Sequence, residues 1–150
     1  MPTAYLFLKF LHILIAMLAL GTSAGLGIVL EFYGDHPSHG PFLLRAITRM
    51  VTFFVIPGYV LTLVTGLWMV DLSWSLATRW IQVAVILWGV GLTLLVGFQL
   101  VLRKQLRLLQ AIGPASRAYR RISLLGRGLG AGMGLVVIVI LYFMVLKPGT

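Results

Sequence analysis

The chain has 150 residues, 60% of them hydrophobic, with a mean hydropathy of +1.04 and twelve Lys and Arg against three Asp and Glu. A soluble globule this small leaves much of its surface in water, so the composition excludes one and makes lipid the solvent. The lack of cysteine removes disulfides, thiolate metal sites and cysteine nucleophiles. The net charge of +9 gathers mostly in one connecting loop, a membrane-topology pattern rather than a nucleic-acid recognition face.

A helix needs roughly 20 mostly apolar residues to cross a hydrocarbon core of about 30 Å. Four segments qualify, at about 4–30, 47–70, 78–102 and 122–146. They lack the period-two alternation of barrel strands and are about twice as long. The expected fold is therefore all-α, an integral membrane four-helix bundle forming a single domain over residues 1–150.

The first span is too long for a signal peptide and has no basic segment before it, so it is expected to be a permanent helix. Its unusual feature is Lys9-Phe10-Leu11-His12, because ionisable residues inside a span are costly and are functional candidates by default. Lys9 and His12 are three apart and share a face with Tyr5, Ala16, Ala19, Ser23 and Gly27, a stripe expected to meet protein or a cavity. His12 lies eight residues beyond Ala4, about 12 Å along the helix. It is a candidate axial ligand to a haem b or a metal, with Lys9 beside it; its alternative role is a neutral histidine bonded to a neighbouring helix. Second-ligand candidates at that depth are Met69, Met144 and Tyr142. Gly21 and Gly25, four apart, favour close helix approach, and Gly21 points away from His12 at about 100° per residue. The first helix thus offers a second face, expected to meet another copy of the chain or a larger membrane complex.

The loop Glu31 to Pro41 collects Glu31, Asp35, His36 and His39, a weak zinc-type ligand set in a stretch that Gly34-Asp35, Pro37 and Gly40-Pro41 also suit to a plain turn. In the second span Pro57 predicts a kink near mid-membrane. Thr62, Thr65 and Gly66 follow it at the depth of His12 and suggest a pocket there. Gln82 and Gln99 in the third span are candidates for interhelical hydrogen bonds. Arg103, Lys104, Arg107, Arg117, Arg120 and Arg121 fall between the third and fourth spans and mark the cytoplasmic side, which places both termini outside. Trp68, Trp74 and Trp80 flank the outer turn at headgroup level. In the fourth span Gly126, Gly130 and Gly134 repeat at steps of four and are expected to pack against a neighbouring helix.

Lys9-Phe10-Leu11-His12, with Ile56-Pro57 through Thr65-Gly66, resembles an uncharacterised bacterial family of small four-helix membrane proteins that open with a Lys-x-Leu-His helix. That family is similar at its first helix to the copper-resistance D domains and the membrane protoporphyrinogen oxidases. The resemblance implies haem or metal handling at His12. Those relatives place a tryptophan seven residues after the histidine, where this chain has Ala19 followed by Gly21.

No Ser-His-Asp set, carboxylate pair or phosphate loop occurs, and Glu31, Asp35 and Asp71 are the only acids. Acid-base hydrolysis has little to work with. The expectation is a small multi-pass protein of a bacterial inner membrane, a non-catalytic accessory subunit packed against partner helices. The rival reading is a haem b or metal-binding redox protein centred on His12, and a third is a small-molecule transporter.

Overall fold

The computed structural model describes residues 3–36 and 38–148; Pro37, one of the expected turn residues, lies outside them. The elements are α1 (Thr3–Tyr33), α2 (Gly40–Met50), a π-helical turn (Val51–Val55), α3 (Ile56–Ser73), α4 (Arg79–Ile112) and α5 (Arg117–Leu146). From Gly40 to Ser73 the chain is one continuous helix. All four long helices have the length and apolar composition to cross a membrane, and the described residues contain no strand. The expected all-α membrane bundle is the architecture observed.

Each expected span lies within one helix, apart from Thr78 just before α4, but the helices run further. The 34 residues of α4 reach about 51 Å at 1.5 Å per residue, well beyond the hydrocarbon thickness. Hydropathy falls at the first charged residue, whereas Arg, Lys, Gln and Leu all propagate a helix well. The extensions gather at the basic end, where α4 stops at Gly113 with a φ of 74°. Glycine adopts that conformation without a Cβ penalty. Ser116 then caps α5 by accepting from the Tyr119 N–H at 3.2 Å.

The chain folds as two helical hairpins. α1 packs on α3, α4 packs on α5, and the pairs join chiefly where α2 meets α4. The joint is a core stripe of Leu44, Ile47, Val51, Val55 and Tyr59 against Leu95, Phe98, Leu102 and Leu109, all buried. Steps of three, four and seven place each set on one helix face. Large apolar side chains such as Phe7, Phe53 and Ile138 point outward instead, the arrangement expected of a surface solvated by lipid.

Pro57 does not break the second helix. It lacks the N–H that would serve the Phe53 carbonyl in α register or the Thr52 carbonyl in π register, and its ring crowds the preceding turn. The chain accommodates this with the π turn Val51–Val55, a usual way to absorb such a defect. Gln99 of α4 reinforces the segment: its side-chain amide donates to the Thr48 carbonyl at 3.0 Å and to the Thr52 hydroxyl. Gln82, the other glutamine considered, is exposed.

The glycine repeat on α5 meets α4 at one end only. Gly126 meets α4 closely, since a Cβ there would lie 3.2 Å from Val101 Cγ1, and Gly130 only grazes Phe98 at 3.9 Å. Gly134, Gly21 and Gly25 have nothing within 4 Å of that position. The close approaches inside the chain are at other glycines. A Cβ on Gly58 would lie 2.7 Å from that of Ala19, and on Gly91 it would collide with the Tyr59 hydroxyl.

At the basic end a polar network ties the turn after α1 to α4 and α5. Tyr119 donates to Asp35 Oδ1 at 2.8 Å and to the Gly34 carbonyl at 3.2 Å, while Gln105 Nε2 donates to the Tyr119 oxygen at 3.0 Å. Tyr119→Phe leaves the buried Gln105 amide without its hydroxyl partner, and leaving such a group unsatisfied costs about 1–3 kcal/mol. The expected result is a lower unfolding midpoint in detergent with helix content intact; an unchanged midpoint counts against the network's structural role.

Candidate functional site

His12 stands on the face of α1 that meets α3. Tyr5, Leu8 and Ala19 are buried on that face, with His12, Ala16 and Ser23 half-buried. The stripe expected from sequence is thus largely realised, with two corrections. Lys9 and Gly27 are exposed, because the inward line runs through Leu8 and Lys9 lies about 100° round the helix from it. Lys9, near the helix end, keeps its ammonium outside the bundle and leaves the site to His12.

The imidazole packs over Gly66, where a Cβ would lie 3.1 Å from His12 Cε1. Its Nδ1 is 2.9 Å from the Thr65 hydroxyl. Thr65 is eight residues from the end of α3 and His12 eight from Ala4, so both helices place the contact about 12 Å inside the same end. The pocket expected around Thr62, Thr65 and Gly66 is occupied by the histidine ring itself.

The hydrogen bonds around Thr65 bear on which ring nitrogen carries the proton. Thr65 Oγ1 lies 2.8 Å from the Leu61 carbonyl and 3.1 Å from that of Thr62. Carbonyls only accept, and a threonine hydroxyl has one proton to give. Thr48, Thr52, Thr62 and Thr93 all donate to the carbonyl four residues earlier, the habitual bond of threonine in a helix. Toward His12, Thr65 therefore accepts, and Nδ1 donates. In the neutral ring this leaves the lone pair on Nε2. An imidazole held at Nδ1 by an acceptor is the arrangement that orients histidine ligands.

The other candidates are dispersed. Met144 joins an apolar cluster with Val70, Trp80 and Ile81 at the tryptophan end, and Tyr142 is exposed, its ring edge to Phe143. At that end Trp74 Nε1 donates to the Tyr5 hydroxyl at 3.3 Å, and the Lys147 ammonium lies 4.6 Å from the centre of the Trp74 ring. Trp74 and Trp80 meet edge to face, while Trp68 is exposed.

Glu31, Asp35, His36 and His39 do not converge on one point. Glu31 and Asp35 pair with Arg127 at 3.1 and 3.0 Å, and the two histidine rings stack on each other 4.7 Å apart. Among the described residues no group of three or more His, Asp or Glu is placed to hold a metal ion. The carboxylates are drawn to the nearest cation, an α5 arginine distant in sequence. One further contact escaped sequence reasoning: Tyr59 and Trp88 stack and exchange hydrogen bonds, Trp88 Nε1 to the Tyr59 carbonyl at 3.1 Å and the Tyr59 hydroxyl to the Trp88 carbonyl at 3.2 Å.

Residues 6–148 match the model of a family described as predicted integral membrane protein, DUF2269. The chain belongs to that family. No curated protein and no solved structure matches this DUF2269 member.

The tautomer is directly measurable. Histidine 15N spectra of the wild type are expected to show the proton on Nδ1 of His12, and Thr65→Val to shift the population toward Nε2–H. A wild-type spectrum with the proton on Nε2 would contradict the assignment. Gly66→Ala would place a Cβ 3.1 Å from His12 Cε1, so the ring must give by a few tenths of an ångström.

Proposed function

We propose that this protein is an accessory membrane subunit whose working group is His12, presented from α1 as one axial ligand to a haem b or a metal completed by a partner. The observation that carries the reading is the Nδ1 contact with Thr65 at 2.9 Å. With Thr65 accepting, the ring proton lies toward α3 and Nε2 is the atom available to donate a lone pair. The residues present fit a single axial ligand of this kind, since the ring is oriented, sits well inside the apolar span and rests over Gly66. A bound haem would supply one-electron chemistry. The part of this chain is to hold the imidazole orientation and keep Nε2 unprotonated. The resemblance of Lys9 to His12 to the first helix of copper-resistance D and protoporphyrinogen oxidase proteins supports the same residue. The reading includes a bacterial inner membrane, with the Arg103 to Arg121 turn in the cytosol and both termini outside.

The test is absorbance of the protein purified in mild detergent from native membranes. A Soret band, or bound metal, that disappears in His12→Ala is the expected result. A colourless, metal-free preparation in both proteins would remove the His12 reading.

The open glycines favour a second reading, a cofactor-free packing subunit. Gly21 and Gly25 on α1, and Gly128 and Gly134 on α5, have no neighbour within 4 Å of a Cβ position, and small residues of this kind let a second helix approach in lipid. Because the chain has no native cysteine, Gly25→Cys gives a single crosslinking handle. Disulfide-linked adducts in native membranes are expected; monomer alone under oxidising conditions would sink this reading.

A further inference from the structure

We propose that the basic end of the bundle binds the headgroups of anionic phospholipids in the leaflet it traverses. The charge balance there is one-sided. Arg103, Lys104 and Arg107 on α4 and Arg117, Arg120 and Arg121 on α5 are all exposed, as are Arg45 and Arg49 on α2. The acids at this end are Glu31 and Asp35, and both are spent on Arg127. Asp71 lies at the opposite end of the second helix. Among the described residues no other ion pair forms, so eight cations on three helices face outward without a carboxylate.

The depth of Arg45, Arg49, Arg103 and Arg107 matches the phosphate layer, with Arg120 and Arg121 at its outer edge. The Arg127 pair with Glu31 and Asp35, together with Arg49 and Arg103, marks the level at which the apolar stretches end. Arg45 and Arg107 lie four residues past Arg49 and Arg103, about 6 Å by helical rise. Arg120 and Arg121 lie six to seven residues beyond Arg127, about 9–10 Å. The interfacial region on each side of the hydrocarbon is about 5–8 Å thick, and arginine's flexible stem extends its reach within it.

The partner is a lipid rather than a soluble polyanion because of what lies between the cations. Phe42 and Met50 flank Arg45 and Arg49 on α2, and Leu124 and Leu125 follow Arg120 and Arg121 on α5; all four apolar side chains are exposed. Cations interleaved with outward apolar groups suit a boundary where acyl chains meet phosphates. The guanidinium fork matches phosphate oxygens two at a time.

The experiment is native mass spectrometry of the full chain released from micelles containing equimolar phosphatidylglycerol and phosphatidylcholine. Retained phosphatidylglycerol is expected to exceed phosphatidylcholine by about tenfold, a preference of about 1.4 kcal/mol. The double variant Arg107→Gln with Arg121→Gln keeps six of the eight cations to hold orientation, and its preference is expected to fall severalfold. Equal retention of the two lipids by the wild type would overturn the proposal, whether or not the variant folds. So would an undiminished preference in a folded variant, which would move the binding elsewhere. Loss of bound phosphatidylglycerol to an equal concentration of inorganic phosphate would also overturn it, identifying a free-phosphate site instead.

Discussion

Lipid tails are as apolar as leucine, so burying one helix against another in a bilayer gains little from the hydrophobic effect, and register depends on packing and a few polar bonds. This chain places such bonds at successive depths. Near the tryptophan end Trp74 reaches Tyr5, and one layer in His12 reaches Thr65. Tyr59 and Trp88 exchange bonds further in, Gln99 reaches Thr48 and Thr52, and Gln105, Tyr119 and Asp35 close the basic end. A shift of one helix along another would strand several of these groups at once, and an unsatisfied polar group costs more in hydrocarbon than in water.

The second helix shows how a sequence defect becomes a specifying feature. Pro57 removes one backbone donor, the π turn at Val51–Val55 takes up the slack, and Gln99 is the side chain that meets it. Beyond that turn the small residues Gly58 and Gly66 let α1 come close, Ala19 against the first and His12 against the second. The depth and orientation of the candidate ligand therefore rest on Thr65 and Gly66, neither of which titrates. Each of these contacts crosses between helices, which is why His12 is held more firmly than its half-exposed position alone would suggest.

The spans were legible because hydropathy over about 20 residues is a strong signal. The helical extensions were not, because Arg, Lys and Gln end an apolar run without ending a helix. His12, Thr65 and Gly66 share a depth that can be counted along two helices, so their meeting was legible in outline, though not which threonine would bond the ring. The glycine repeat misled. Gly126 to Gly134 has the spacing of a packing motif, but α4 contacts chiefly its first member. Gly58 and Gly66 are eight apart and form no repeat, yet they carry the contact between α1 and α3. Arg127 was also hidden, since nothing local to Glu31 or Asp35 indicates a partner more than ninety residues away.

The hairpin arrangement has a consequence for truncated chains. Every group that positions His12 lies before residue 74, on α1 and α3, whereas the network around Tyr119 needs the last helix. The first two spans alone supply every residue of the His12, Thr65 and Gly66 contact. The second hairpin meets them through Gln99, Trp88 and Tyr119. Truncation after the second span would therefore spare the sequence of the one contact set and remove the other entirely.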